Sequence, residues 1–321
     1  MDPLSDVLRA VRLTGAFFFD VHAAEPWVAE TPWGRSVVDA MFPGSEHLAS
    51  YHLLLDGTCW IRLDGEPDMK LVAGDIVVLP HGDAHVLSST PGLRRAPEMQ
   101  MYRMPKDGKV PVSIAVGGTG NADAHFVCGF VGCDSRPYNP LLAALPRVFR
   151  LGDHLGGALG SYFHYALAES RDSRMGGAGV LNRISELMFV DAIRRYLESL
   201  PPERNNWLSG LHDPFVGKAL TSLHREPARP WTLESLASHV ALSRSALAER
   251  FNQFVGQPPM QYLTNWRMQL AANRLCSTNE GVASVASRVG YESEAAFSRA
   301  FKKAVGMSPG QWRTRQRQSV S

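Results

Sequence analysis

The sequence has few cysteines and lacks a long apolar run. Only four of its 321 residues are cysteines, too few for the disulfide framework of a secreted protein. The first forty residues carry charged side chains on both sides of a short phenylalanine run, residues 17–19. That pattern fits neither a signal peptide nor a membrane-spanning helix. These absences predict a cytoplasmic protein with no membrane partner.

Net charge is also small, at +2, but it is unevenly distributed. Residues 213–321 contain 14 basic and 7 acidic side chains, a net charge of +7. The preceding residues contain 19 basic and 24 acidic side chains, a net charge of −5. A basic C-terminal third predicts an anionic partner, most simply nucleic acid.

The pattern of apolar residues predicts two domains. From about residue 30 to 130, short apolar stretches alternate with turn signals such as Asp56-Gly57 and Asp64-Gly65, which is typical of a small β-barrel or sandwich. Helical patterns follow, and Pro201-Pro202 marks a linker. We therefore expect an N-terminal β-barrel with following α-helices in residues 1–205, with the barrel over about 1–135 and the helices over about 140–200, and an all-α domain in residues 206–321.

An amphipathic helix is predicted between Val180 and Leu200. Its apolar residues recur at three- to five-residue steps, while charged residues take the other positions. The apolar face of such a helix packs either on a second copy of the chain, in a homodimer, or on its own barrel. Amphipathicity alone does not distinguish these two alternatives.

The basic third contains an internal repeat. The stretch LASHVALSRSALAERFNQFVGQPPMQY, from Leu236, aligns with VASRVGYESEAAFSRAFKKAVGMSPGQW, from Val285. Each copy has a helix with small residues, a short turn, and a serine that begins a second helix. The spacing predicts two helix-turn-helix motifs, over residues 232–254 and 282–303.

The second helix of each motif would pack through apolar residues at i, i+4 and leave its opposite face to enter a DNA major groove. The alternative is a helical bundle that does not bind DNA, which two aligned copies in a basic region disfavour. The predicted DNA-contacting residues are Arg244, Ser245, Glu249 and Asn252 in the first motif and Glu294, Ser298, Arg299, Lys302 and Lys303 in the second.

These residues carry a family resemblance. ALSRSALAERF and VASRVGYESEAAFSRAFKKAVGMSPGQWR resemble the DNA-binding domain of the AraC/XylS family of bacterial transcription regulators. The resemblance implies a double helix-turn-helix domain that binds double-stranded promoter DNA and usually activates transcription, with RNA polymerase as a partner.

Many such regulators carry an N-terminal cupin domain, and GDIVVLPHGDAH, from Gly74 to His85, resembles the second cupin motif. The first cupin motif of a metal-dependent member would place ligands at positions 52, 54 and 58, which here are His52, Leu54 and Thr58. Only His52 and His85 remain of four expected ligands, so no cofactor is expected, although another donor such as His47 or His81 could complete a metal site.

His52, Trp60 and His85 are therefore candidates to line an effector pocket. Each has an equally reasonable structural role, because buried histidines are commonly hydrogen-bonded and tryptophans in strands commonly belong to the core. His125, Cys128 and Cys133 form a second candidate site, for zinc or for a redox-sensitive thiol pair. The structural alternative is that Cys128 is a small buried apolar residue.

Together these features predict a non-enzymatic, sequence-specific transcription regulator that responds to a small molecule or redox signal through its cupin domain. The alternative from another class is a metal-dependent cupin enzyme with a DNA-binding regulatory tail. A structural nucleoid protein fits the acidic, sensor-like N-terminal part poorly.

Overall fold

The computed structural model divides the chain into two compact units. We call Leu13–Asp134 with Leu145–Glu198 the barrel unit, and Met1–Arg12 with Ser135–Ala144 and Ser199–Ser321 the helical unit. The residues that the structure describes are 2–10, 13–42, 45–102, 112–133, 136–152, 158–172, 175–200 and 206–318.

The barrel unit is built on a curled, cupin-like sheet, which confirms the predicted fold class. Its strands are β1 (Leu13–Ala24), β2 (Val28–Thr31), β3 (His47–Leu63), β4 (Met69–Val72), β5 (Ile76–Leu79), β6 (His85–Ser88), β7 (Val112–Gly117), β8 (Ala124–Cys133) and β9 (Phe149–Leu151). The main strand order is β2-β6-β3-β8-β1-β7, while β4 and β5 pair with β3, and β9 pairs with β5. Among the described pairs, β1–β7 is parallel and the others are antiparallel.

Strand β3 is 17 residues long and runs through the turn signal at Asp56-Gly57. This dipeptide is therefore not a hairpin turn, as the sequence had suggested. It lies at a register shift against β8, where Gly57 has φ +79°. A Cβ at Gly57 would come within 2.0 Å of the Asp123 carbonyl oxygen, so glycine is required by a close strand contact.

Among the described residues, three α-helices accompany the sheet in the barrel unit: α2 (Gly34–Met41), α4 (Ala158–Asp172) and α5 (Gly177–Ser199). Helix α5 contains the amphipathic segment predicted from Val180. Its residues Leu181, Met188 and Ile193 are buried, and the Ser185 Oγ lies 2.9 Å from the Tyr51 hydroxyl of β3. The apolar face of α5 therefore packs on its own barrel.

The helical unit consists of two similar three-helix arrays and additional helices. The first array is α8 (Leu233–His239), α9 (Arg244–Val255) and α10 (Pro259–Ser277), and the second is α11 (Val282–Arg288), α12 (Glu294–Val305) and α13 (Pro309–Gln318). The other helices are α1 (Pro3–Ala10), α3 (Pro140–Ala144), α6 (Trp207–Gly210) and α7 (Val216–Arg225). The structure therefore has a helix-turn-helix at each predicted motif.

Equivalent residues begin and end the second helix of each motif. The Ser243 side chain accepts a hydrogen bond from the Ala246 amide, and the Ser293 side chain accepts one from the Ala296 amide. Glycines with left-handed backbone end both helices, at positions 256 and 306. The repeat in the sequence is therefore a repeat of helix-capping structure.

The N-terminal residues and residues 136–144 group with the helical unit by their contacts, although they lie within the N-terminal domain predicted for residues 1–205. One contact behind this grouping is the buried Gln269 side chain of α10. Its Nε2 donates to the Ala10 carbonyl oxygen at 3.2 Å, and its Oε1 accepts from the Tyr138 amide at 3.0 Å. One amide side chain thus joins α10 to two segments distant in sequence, a connection that periodicity could not show.

In the described part of the chain, none of the helices is both long and apolar enough to span a membrane.

Candidate DNA interface and buried histidine chain

Helices α9 and α12 each bury an aromatic face and expose a polar one. Phe251 of α9 and Phe297 and Phe301 of α12 have no solvent exposure. The residues predicted to contact DNA lie on the other faces. Arg244, Ser245, Glu249, Asn252, Glu294, Arg299, Lys302 and Lys303 are exposed, and Ser298 is half-buried. This is the arrangement that a groove-reading helix requires.

Helix α10 connects the two motifs. Its 19 residues correspond to about 28 Å of helix at 1.5 Å per residue, close to one turn of B-DNA, about 34 Å. Tyr262, Trp266 and Leu275 of this helix are buried. The connection between the two motifs is therefore a packed helix and not a loop.

Many basic side chains of the helical unit hold its own structure together. Arg250 forms a bidentate contact with the buried Asp213, with its Nε 3.0 Å and its Nη2 2.5 Å from Oδ2. Arg274 and Arg288 both pair with Glu280, each at 2.8 Å. The Asp213 Oδ1 also accepts from the Val216 amide that opens α7. These arginines are engaged in ion pairs within the helical unit.

The cations of the predicted DNA-contacting faces are different. Within the described residues, Arg244, Arg299, Lys302 and Lys303 take part in no ion pair. Three of the four belong to α12. The second motif therefore presents more positive charge to a phosphate backbone than the first.

In the barrel unit, His52 and His85 are both buried and lie against each other. Their Nε2 atoms are 2.6 Å apart, and the His52 Nδ1 lies 2.8 Å from the Cys128 Sγ. The His85 Nδ1 lies 2.8 Å from the Asp83 carbonyl oxygen, which can only accept. The structure thus joins Cys128, His52, His85 and a backbone carbonyl in one hydrogen-bonded chain.

The Asp83 carbonyl oxygen at one end determines which atom donates and which accepts in each hydrogen bond of this chain. His85 must donate from Nδ1, so in its neutral form Nε2 accepts from the His52 Nε2–H, and the His52 Nδ1 accepts from the Cys128 thiol. Burial lowers the pKa of His85 to about 4 and lowers that of His52 well below its usual value. Burial also raises the pKa of the Cys128 thiol. The chain is therefore uncharged near neutral pH.

At the described positions of the first cupin motif, the two histidines gain no further metal ligand. Leu54 is buried and Thr58 is exposed at the other two positions of the first cupin motif. His47 and His81, the expected substitutes, are instead hydrogen-bonded through Nε2 to the Pro80 and Leu145 carbonyl oxygens, at 2.7 and 3.0 Å.

Trp60 is not placed with the histidines. It pairs directly with Ser88 of β6, three residues from His85. Side chains alternate along a strand, so Trp60 and His85 lie on opposite faces of the sheet. The prediction that Trp60 lines the same pocket as His85 is therefore wrong. A cleft of about 90 Å³ lies elsewhere in the unit, with Glu30, Tyr102 and Ile114 among its lining residues.

The predicted grouping of His125, Cys128 and Cys133 is also wrong. All four cysteines of the chain are thiols. Cys128 and Cys133 are five residues apart on β8, about 16 Å along a strand, whereas a disulfide requires Cα atoms within about 7 Å. His125 lies on the other face from Cys128, where it contacts Asp20. The D-x-H alternation at Asp20 and His22 was the sequence signal that could have shown this.

Comparison with known proteins agrees with this architecture. Residues 2–198 match a family model described as a cupin, and residues 236–315 match one described as a helix-turn-helix domain. A putative AraC-like transcription regulator of Streptomyces lividans is 34% identical over 98% of both chains. The transcriptional regulator AlkR of Acinetobacter baylyi is 28% identical over 98% of this chain and 99% of its own.

Among solved structures, the DNA-binding domain of AdpA in complex with a target DNA is 27% identical over 33% of this chain and 95% of that chain, with a TM-score of 0.32. The fold and its two motifs define a DNA-binding transcription regulator with a cupin domain. The chain belongs to the AraC-like transcription regulators.

The neutral histidine chain predicts that the barrel unit loses stability in mild acid. In the unfolded chain, His52 and His85 take up protons near pH 6.5, whereas the folded state keeps His85 neutral down to about pH 4. Stability is therefore complete above pH 6.5 and falls as the pH decreases. Each histidine contributes a slope of up to about 1.4 kcal/mol per pH unit.

This slope can be measured by denaturant unfolding between pH 7.5 and 5, above the range in which most carboxylates titrate. His85→Gln should reduce the slope, and His164→Gln, which changes an exposed histidine of the same unit, should leave it unchanged. Equal slopes in all three proteins would show that the buried histidines are not the source.

Proposed function

We propose that the protein binds promoter DNA in a sequence-specific way through the exposed faces of α9 and α12 and regulates transcription there. The observation that carries this proposal is the separation of roles on these two helices. Phe251, Phe297 and Phe301 are buried, and the cations Arg244, Arg299, Lys302 and Lys303 remain available to DNA. Side chains that contact bases or phosphates must be accessible to DNA in this way.

The proposal extends to what the barrel unit does. It senses a small molecule or an oxidant and does not catalyse a reaction, because only two of the four expected ligand positions are histidines and these bond to each other. The protein acts in the cytoplasm, and, if it activates transcription, RNA polymerase is a further partner. The 90 Å³ cleft is smaller than the roughly 300 Å³ of a typical ligand pocket, which favours a small effector.

Arg299 is the first residue to test. If its guanidinium pairs with a guanine, Arg299→Ala should weaken binding to the preferred site by about 1 to 3 kcal/mol and relax the preference at one base pair. The preferred site can be selected from a random DNA pool, and affinities can be measured by fluorescence anisotropy.

Lys218→Ala is the matched control, since Lys218 is an exposed cation on α7 outside the two motifs. It should bind the selected site as the wild type does. Arg299 would be a phosphate contact if its loss weakened binding equally on every sequence, and sequence reading by α12 would be refuted if its loss had no effect.

We also propose that the chain forms a homodimer through α5. The apolar face of this helix packs on its own barrel, so a partner would meet the outer side, where Leu187 is 44% exposed. Tyr165 of α4 is 53% exposed in the same unit. Two exposed apolar side chains on the covering helices are consistent with a contact surface.

Light scattering on the full-length protein tests the dimer. The wild type should have twice the 35.3 kDa mass of one chain, and Leu187→Glu should have the mass of one chain, because a buried charge would destabilise the contact. Val72→Glu changes a residue of similar exposure, 43%, on β4 and should remain dimeric. A wild type with the mass of one chain at all concentrations would contradict the proposal.

For the sensing of an oxidant, Cys128 is the candidate residue, because its thiol is hydrogen-bonded to His52. Peroxide would oxidise its thiol to a sulfenic acid and release water, which replaces the S–H that donates to His52 and disturbs the hydrogen-bonded chain. Cys128→Ser should therefore abolish an oxidant-induced change in DNA affinity, measured on the selected site with and without peroxide. Cys276→Ser, in the helical unit, is the control, and an unchanged response in Cys128→Ser would exclude this thiol as the sensor.

A further inference from the structure

Three side chains of types that can bind metals lie together on the outer face of the barrel sheet: Asp20, His22 and His125. The proposed function does not use them. Asp20 and His22 are two residues apart on β1 and therefore share a face. His125 of β8 pairs directly with His22 across the antiparallel ladder. Their neighbours Phe19, Val21 and Phe126 are buried, so this face points away from the barrel core.

The three side chains are in close contact. The His22 and His125 rings are stacked, with centroids 4.1 Å apart and planes inclined by 14°. The Asp20 carboxylate lies at the edge of this stack. Its Oδ1 is 2.6 Å from the His125 Nε2, and its Oδ2 is 3.7 Å from the His22 Nε2. One donor atom from each residue lies within 4.8 Å of the others.

These separations are close to those of a metal site. Ligands about 2.0 to 2.2 Å from a tetrahedral zinc ion lie roughly 3.3 to 3.6 Å from each other. To reach that spacing, the Asp20–His125 separation would lengthen from 2.6 Å, while the Asp20–His22 separation of 3.7 Å is already close to it. The strand register has already placed the three donor-bearing residues side by side.

The chemistry of the donors selects the class of ion. Two imidazoles and one carboxylate suit zinc and the neighbouring divalent transition metals, whereas magnesium and calcium prefer oxygen ligands alone. The His22 side chain is 46% exposed and the other two are partly exposed, so the ion and its remaining water ligands can reach the site.

The local charge also favours a cation. Within the described residues, no lysine or arginine forms an ion pair with Asp20. On the other side of His125, Asp56 of β3 is its direct partner in the ladder and adds a second carboxylate nearby. A divalent ion would offset this negative charge.

We propose that Asp20, His22 and His125 bind one zinc-class divalent transition-metal ion on the outer face of the β1–β8 pair. This site is separate from the buried His52–His85 chain, which lies on the other face of the sheet. The ion links β1 to β8 through side chains, in addition to their backbone hydrogen bonds.

Calorimetric titration of the chelator-treated, full-length protein with zinc chloride tests this site. The wild type should bind one zinc ion per chain at the site, and His22→Gln and His125→Gln should each weaken binding at least tenfold. His164→Gln, at an exposed histidine of the same unit, should bind zinc as the wild type does. Millimolar magnesium should not compete.

Cobalt(II) provides a second readout that does not depend on affinity alone. When it replaces zinc, its visible absorption reports nitrogen and oxygen ligands in a site of low coordination number, and His22→Gln should remove that absorption. Circular dichroism identifies any variant that fails to fold, and the exposed position of His22 keeps at least one variant informative.

Failure to take up zinc would overturn the proposal and leave Asp20 and His125 as a hydrogen-bonded pair only. Uptake that both glutamine variants retain would place zinc elsewhere and overturn it equally. Neither result bears on DNA binding through α9 and α12, which the Arg299 measurements address separately.

Discussion

The helical unit depends on the burial of α10. Residues on this helix, among them Tyr262, Trp266 and Leu275, are inaccessible to solvent, and both helix-turn-helix motifs pack against it. Because α9 and α12 must each bury their phenylalanines on the same unit, the orientation of each helix is fixed. Their polar faces are exposed as a consequence. The DNA-binding surface is therefore set by apolar packing on its reverse side.

This packing also explains how the basic charge of the unit is divided. Arginines next to buried carboxylates, such as Arg250 beside Asp213, stabilise the connections between helices. An unpaired buried charge would be strongly destabilising, so these arginines are not available to a phosphate. The remaining cations of α12 carry the electrostatic contact. Counting basic residues in the sequence overestimates the number that can meet DNA, and the ion pairs show which ones remain.

In the barrel unit, the two histidines that stand at expected cupin ligand positions form a hydrogen-bonded pair. His52 and His85 share a hydrogen bond and are held neutral by burial, and the chain of donors ends on a thiol. Loss of one proton or of the sulfur donor would leave a neighbouring buried polar group without its hydrogen bond, because every buried polar group in this chain depends on the next. Asp20, His22 and His125 are, by contrast, partly exposed or exposed. The two faces of one sheet hold two sets of histidines with opposite solvent access.

The amino-acid sequence by itself determined the helix-turn-helix repeat, the barrel class and the family. These depend on signals within about twenty residues, such as the serines that begin α9 and α12 and the glycines that end them. Only the tertiary structure decided that Trp60 faces away from His85, that α1 belongs to the helical unit, and that His125 meets Asp20 and not Cys133. Each of these depends on strand register or on contacts between residues distant in sequence. A shift of one residue in register would reverse the face of every side chain, and local periodicity does not encode that choice.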